Sequence, residues 1–425
     1  MLSPGVKVKE IDLTNSILGS SSSKAAYVGP FRWGPVNEIN TVSSRKELAE
    51  FYGNPNAFTA ESFFTADSFL NYGKNLKVVR SSGDELLNAS ANRFGEEFGN
   101  TPRLIETELG FQGLDSLSTD ISIDTVFARY PGSLGNSIKV EVFTAECYEE
   151  GFVVPEGMSN AKSTFRRSPE ANECHILITD SAGLFTGAVG AVLEQWEYLG
   201  RYDGDKKYDG SNNYYVDVLN RYSKYVYINP INQSGSLLWI LDTPALEVLD
   251  VLVNQQIPYD FSITENEPTY PAFEEIDYTE YLGNFGPLVM QLSGGVDQTS
   301  VVPAHIMNGI DLFREVDQVD IDLLFAFNDN DADNTIAEYL ISTVEYRGDA
   351  IAFCSPPVED SILKDSSDKI VEWADTIRSS SYAVIDSSAL KVYNPYGDKD
   401  LWIPAAGHVA GLCAHTDEVA DPWVS

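Results

Sequence analysis

The sequence predicts a mixed α+β and α/β fold, an αβ core domain assembled from both ends of the chain with a β-sandwich-like insertion. Three observations carry this reading. From Val319 to Ile385 the chain reads strand, helix, strand, helix, strand, the alternation that builds a parallel sheet with right-handed crossovers. Lys24 to Arg80 has the same grammar, so two distant segments are expected to share one sheet. Between them, from about Ser81 to Met290, short strands, Gly turns and Tyr-rich segments replace that alternation.

In chain order, Pro4 to Asp12 is extended, with Val6, Val8 and Glu10 facing opposite to Lys7, Lys9 and Ile11. The Ser20–Ser23 run behind it reads as a flexible link. A short strand on a loose tether suits pairing with an exposed sheet edge elsewhere, and equally suits a frayed terminus. Ala25–Val28 is a strand ended by Gly29-Pro30. Ser44-Arg-Lys-Glu47 is a capping box for a helix with Leu48, Phe51 and Tyr52, stopped by Gly53. Thr59 starts a second helix carrying Phe63, Ala66 and Leu70, and Leu76–Arg80 is a strand. In the middle, Ile138–Phe143 alternates cleanly, His175–Thr179 and Tyr225–Ile228 are strands, and Val216, Leu219 and Tyr222 mark a helix. Pro303 opens a helix with Ile306, Ile310 and Phe313. A strand over Val319–Phe327 precedes a helix with Ile336, Leu340 and Val344, which Gly348 closes. Ala350–Cys354 and Tyr382–Ile385 are further strands, with Ile370, Trp373, Ala374 and Ile377 on the helix between them. Leu390–Tyr393 and Leu401–Ile403 form a hairpin around Asn394-Pro-Tyr-Gly397. Gly407 and Gly411 sit on a last helix among Ala406, Ala410 and Ala414, where small residues permit close backbone contact.

A chain of 425 residues can hold two or three domains. Its net charge of −36 disfavours direct nucleic-acid binding, which needs clustered Lys and Arg, and implies a solvated, self-repelling acidic surface. The four cysteines, 147, 174, 354 and 413, form no CxxC pair, so structural zinc is not expected. Neither a secretory h-region nor a bilayer-spanning apolar run is present, and a cytoplasmic birthplace follows as the expectation.

Candidate chemistry fails motif by motif. Leu292-Ser-Gly-Gly295 has no GxxxxGK[ST] partner to hold phosphates and reads as a turn, and Gly183-Leu-Phe-Thr-Gly187 lacks the lysine too. Asp329, Asp331 and Asp333 take calcium-loop positions 1, 3 and 5, but Asn334 stands where the loop needs Gly and Leu340 where it needs Glu. An acidic N-cap for the Ile336 helix explains them more simply. His408 and His415 lack a partner at ligand spacing, and no GxSxG nucleophile motif occurs. The expectation is no catalytic residue, no cofactor and no metal.

Several segments in order do carry a resemblance. They are Leu2-Ser-Pro-Gly-Val6, Phe31-Arg-Trp-Gly-Pro35, Phe51-Tyr-Gly53, Tyr72-Gly73 before Leu76–Arg80, Tyr130-Pro-Gly-Ser-Leu-Gly135, Leu292-Ser-Gly-Gly295, Phe353-Cys-Ser-Pro-Pro357, Trp402-Ile-Pro404, Gly411-Leu-Cys-Ala414 and Thr416-Asp417. Together they resemble the contractile-tail sheath proteins of T-even-type bacteriophages. The resemblance implies an N-terminal arm over 1–23, a conserved αβ core over 24–80 plus 291–425, and an outward β-rich domain over 81–290. It further implies a virion tail protein assembled in the host cytoplasm, forming stacked six-fold rings around the tail tube, meeting baseplate and tail terminator, and contracting without nucleotide. The intersubunit strand would be Val6, Lys7, Val8, Lys9, Glu10 and Ile11, lent to a neighbour's sheet. Two departures stand out. Arg80 to Tyr130 is short for the family's extra small β-barrel, and the chain stops at Ser425 where relatives continue into a strand-accepting domain. A donor without that acceptor is expected to be a soluble monomer. The competing readings are a baseplate- or capsid-type structural protein and an αβ hydrolase or NTP-dependent enzyme.

Overall fold

The structure, a computed structural model, describes residues 23–92, 102–114, 124–154, 157–159, 164–229, 287–328, 334–363 and 366–419. The strand over Val6–Ile11 and the Asp329, Asp331 and Asp333 triplet lie outside these residues.

The first segment gives β1 (Ala25–Gly29), β2 (Ile39–Val42), α1 (Arg45–Tyr52), α2 (Ala60–Leu70) and β3 (Leu76–Arg80). Every residue of β1 is buried, as its unbroken apolar run requires of a strand covered on both faces. Ser44 caps α1, accepting the Glu47 N–H through its side chain. The expected capping box closes only on that side, because the Glu47 carboxylate takes the N–H and hydroxyl of Ser43 rather than the Ser44 amide.

The middle of the chain gives β4 (Ser90–Asn92), α3 (Glu108–Leu114), β5 (Asp124–Ala128), β6 (Ile138–Phe143), β7 (Glu173–Asp180), β8 (Ala191–Gly200), α4 (Tyr215–Tyr222), β9 (Val226–Ile228) and β10 (Leu288–Gln291). Among the described residues its named strands pair antiparallel, in a four-stranded sheet ordered β10-β6-β7-β8 and a three-stranded sheet ordered β4-β5-β9. Inward residues of both sheets, among them Val126, Val140, Ile176 and Val226, share one apolar core, the two-layer arrangement of a sandwich. On α4, Tyr215, Val216, Val218 and Leu219 make the buried face, while Tyr222, expected on it, is exposed.

The return segment gives α5 (Pro303–Asp311), β11 (Leu323–Ala326), α6 (Thr335–Arg347), β12 (Ile351–Cys354), α7 (Val358–Ile362), α8 (Ser366–Thr376), β13 (Ala383–Ile385), the hairpin β14 (Ala389–Asn394) and β15 (Lys399–Pro404), and α9 (Ala406–Val419). β11 pairs in parallel with β1, Ala25 opposite Leu323 and Val28 opposite Ala326, so both ends of the chain build one sheet. The full order is β13-β12-β11-β1-β3-β2, parallel except for β2. Its core joins Tyr27, Phe63, Phe69, Ile310, Phe325 and Leu340. The α6 helix closes at Gly348 in the left-handed region. Its N-cap is Asn334, also left-handed, and its side chain makes no cap hydrogen bond but donates to Thr376, so the position expected to hold an aspartate does not. Gly407 of α9 lies so close to α2 that a Cβ there would stand 2.2 Å from the Thr65 carbonyl. The small-residue stripe is therefore an internal helix contact.

Candidate functional site at the junction of the two cores

The segments leaving β1 and β3 meet the segments entering and leaving the β module at one place. After β1, Phe31–Pro35 turns across the sheet end. Trp33 is buried and stands edge-on to two rings, its centroid 5.4 Å from that of Tyr130 and 5.0 Å from that of Phe185. The Trp33 backbone amide donates to the Tyr52 carbonyl. A platform residue thus plugs the core of the inserted module. Gly34, at φ +95°, leaves no room for a side chain, since a Cβ would lie 2.7 Å from the Phe51 carbonyl.

Arg80 ends β3 and is 1% exposed. Its Nη1 donates to the Gly34 carbonyl and its Nη2 to the Pro131 carbonyl, each at 2.9 Å, so one guanidinium spans both cores. Burial pulls this group down to about 10, against the stabilising charge of Asp297, and it stays a cation at neutral pH. Asp297 lies on the strand-like segment leaving the module. Its carboxylate accepts the Ser133 N–H and hydroxyl, both at 2.6 Å, and the Asn56 Nδ2 at 3.2 Å, with Arg32 Nε 4.0 Å away. Asn136 and Gly295 exchange a reciprocal pair, side-chain N–H to carbonyl at 2.9 Å and amide to side-chain oxygen at 2.7 Å. Bridges Leu87–Val296 and Ser90–Ser293 zip the two crossing segments together. Gly132 and Gly295 let these backbones touch, for a Cβ on Gly295 would lie 2.5 Å from the Gly132 carbonyl.

What this arrangement does is mechanical. The Arg80 guanidinium, the Asp297 carboxylate and the Asn136 amide each bond groups of the other core, so tilting one core against the other would strand buried donors and carbonyls, at roughly 1–3 kcal/mol for each group. The motifs singled out in the sequence, Phe31–Pro35, Phe51–Gly53, Tyr130–Gly135 and Leu292–Gly295, all meet here. Leu292–Gly295 runs through the junction, the Leu292 and Ser293 amides donating to the Ile138 and Ser90 carbonyls. Arg80, Asn136 and Asp297 were not singled out, although an arginine closing the apolar Leu76–Val79 run is a visible signal. His408 and His415 flank the Tyr72 ring at 5.0 and 6.3 Å. Among the described residues no group of three His, Cys, Asp or Glu side chains could hold a metal, and no helix is long and apolar enough to cross a membrane.

The fold is an α/β platform joined to a mainly antiparallel β module, with several of the sequence's ordered motifs at the joint. No family model matches the chain. Three curated proteins do. It is 23% identical to the tail sheath protein of Enterobacteria phage T4, 24% to that of Vibrio phage KVP40 and 25% to that of Salmonella phage ViI. Each match covers all of this chain and 74%, 75% and 71% of those proteins respectively. The chain is thus similar along its whole length to tail sheath proteins of three bacteriophages. Among solved structures it is similar to sheath tail proteins from Listeria innocua and Desulfitobacterium hafniense, at 12% identity and TM-scores of 0.44 and 0.43. These matches cover 93% and 97% of this chain, which spans 57% and 62% of theirs.

Proposed function

We propose that this chain is a structural subunit of a bacteriophage contractile tail sheath, polymerising around the tail tube and contracting to drive the tube through the host envelope. The observation that carries it is similarity to three tail sheath proteins across the whole chain. The welded junction supports it, because a subunit that passes load between neighbours must not yield between its own cores. In this reading 24–80 plus 291–425 form the platform, 81–290 the outer module, and 1–23 an arm. Val6–Ile11 of that arm is lent to a neighbour as an added strand. Subunits join in rings that stack helically through heterologous contacts, after synthesis in the host cytoplasm, and meet tube, baseplate and terminator. The chain turns over no substrate, binds no nucleic acid and inserts in no membrane. Its charge of −36 keeps free subunits apart at low salt, and association strengthens as salt screens it.

Immunogold electron microscopy of phage particles carrying the chain tests the assignment. Label along the length of the tail is expected. Label confined to the head or the tail tip would replace the sheath reading with a capsid- or baseplate-type role.

A further inference from the structure

The four-stranded sheet of the β module has two faces, and β7 serves both. Cys174, Ile176 and Ile178 point into the core shared with the three-stranded sheet. Leu177 points the other way and joins Phe143, Cys147 and Phe165 in a smaller cluster on the outer face. By the same alternation His175 stands on that outer face, opposite Phe143 of β6. It is fully buried, with the Phe165 ring stacked on its own at 4.4 Å and the rings of Tyr198 and Tyr148 edge-on at 4.8 and 6.3 Å.

Both ring nitrogens are engaged, and only one protonation state allows it. Across from His175, β8 places two residues, Glu197 and Tyr198, against one, which is a β-bulge. Tyr198 is left-handed there, at φ +57°, an uncommon conformation for a tyrosine. Its amide donates to His175 Nδ1 at 3.0 Å. Nε2 lies 2.9 Å from the Arg167 carbonyl. An amide N–H can only donate and a carbonyl only accept, so Nδ1 is bare and Nε2 carries the proton. The Arg167 amide in turn donates to the Tyr198 hydroxyl at 3.1 Å, and the Arg167 guanidinium lies over the Tyr198 ring at 4.0 Å. One neutral imidazole therefore ties the bulge on one side and the turn Phe165–Arg167 on the other.

A second proton on this ring is opposed. At Nδ1 it would face the Tyr198 N–H, donor against donor, and set a charge among three aromatic rings. The charges around the ring are mixed. Glu197 on β8 and Glu173 on β7 attract the proton, while Arg167, which holds Glu173 at 2.6 and 3.0 Å, repels it. The remaining titratable groups on the packed elements are the Tyr198 and Tyr148 hydroxyls and Cys147, beside Tyr148 in the turn Ala145–Tyr148. Burial outweighs the carboxylates and holds His175 below its ordinary value.

We propose that His175 is a proton-operated latch, which in its neutral form holds the β8 bulge and the Phe165–Arg167 turn on the outer face of the sheet and on protonation releases both. Because the native value lies below the unfolded one near 6.5, the hold is complete above that pH and is lost as pH falls through the native value. Release uncovers Leu177 and Phe143. The inference rests on this geometry and is independent of the tail sheath reading.

Amide hydrogen exchange of the 425-residue chain at pH 7.5 and pH 5, corrected for the intrinsic effect of pH, tests the latch. A freed imidazole of ordinary value is favoured about thirtyfold by protonation at pH 5, so protection of the Tyr198 and Arg167 amides should fall at least about fivefold in acid, with the Val28 amide unchanged. In His175→Asn the side-chain oxygen can accept the Tyr198 N–H without titrating, and protection of both amides should be the same at the two pH values. Equal protection of the wild type at both pH values, or the same acid loss in His175→Asn, would overturn the proposal. Should that variant misfold, NMR of the wild-type imidazole decides, with the His175 signal identified by elimination using His305→Gln, His408→Gln and His415→Gln. It should be the Nε2–H tautomer at pH 7.5 and titrate below about 6.5. An Nδ1–H tautomer, or titration at or above that value, would overturn the latch.

Discussion

The junction and the β13 rim belong to the same sheet and are built on opposite terms. At the junction, charged groups are buried, yet Arg80, Asp297 and Asn136 each find partners from the other core. At the rim, among the described residues, apolar side chains face solvent. Two carboxylates repeat the contrast. Burial would raise Asp180, but hydrogen bonds from the Ser137 hydroxyl, from Thr186 and from the Phe185 amide outweigh it and hold it below the usual carboxylate range. Near the rim, burial raises Asp386, with donation from the Ser355 hydroxyl and the Ser388 amide only partly offsetting it. Where the chain satisfies its own polar groups, the structure is closed on itself. At the rim Asp386 is also hydrogen-bonded within the chain, and the difference lies in the apolar side chains left exposed there.

The largest expected effect is at the weld. Arg80→Met leaves the Gly34 and Pro131 carbonyls buried without their donor and should lose about 3 kcal/mol by chemical denaturation. A loss under about 1 kcal/mol would mean the guanidinium is not holding the cores. Next, Asp180→Asn should lose about 2 kcal/mol at pH 7. Because the native carboxyl lies below its unfolded value near 3.9, this contribution is present above that pH and fades as pH falls through the native value. The gap between wild type and variant should therefore narrow in acid, and a gap independent of pH would break the comparison. Asp386 has the opposite sign. Its native value is raised, so its contribution is full below about pH 3.9 and is lost as pH rises through the native value. Asp386→Asn should accordingly be better tolerated at pH 7 than at pH 4 by chemical denaturation, and an equal cost at the two pH values would contradict the raised native value. The smallest effect belongs to the rim, where Val384→Thr should stay within about 0.5 kcal/mol.

Much of this architecture is legible in the residues. The shared sheet follows from two segments with the same alternation, Gly348 marks the end of α6, and the Asn394–Gly397 turn marks the hairpin. Antiparallel pairing in the middle follows from its short alternating strands. The junction is not legible, because Trp33, Arg80, Ser133 and Asp297 are far apart in the chain and bind largely through carbonyls and amides that every residue possesses. Two expectations fail in local detail. Asn334 takes the cap expected of an aspartate in a left-handed conformation that asparagine tolerates, and Glu47 takes two donors from Ser43, its N–H and its hydroxyl, where the Ser44 amide would give one.

The weld is tested most directly by differential scanning calorimetry of wild type beside Asp297→Ala, which removes the carboxylate shared by Ser133 and Asn56. Coupled cores should unfold in a single transition whose calorimetric and van't Hoff enthalpies agree, and the substitution should split it in two. Two separate transitions already present in the wild type, unmoved relative to each other by Asp297→Ala, would contradict the account.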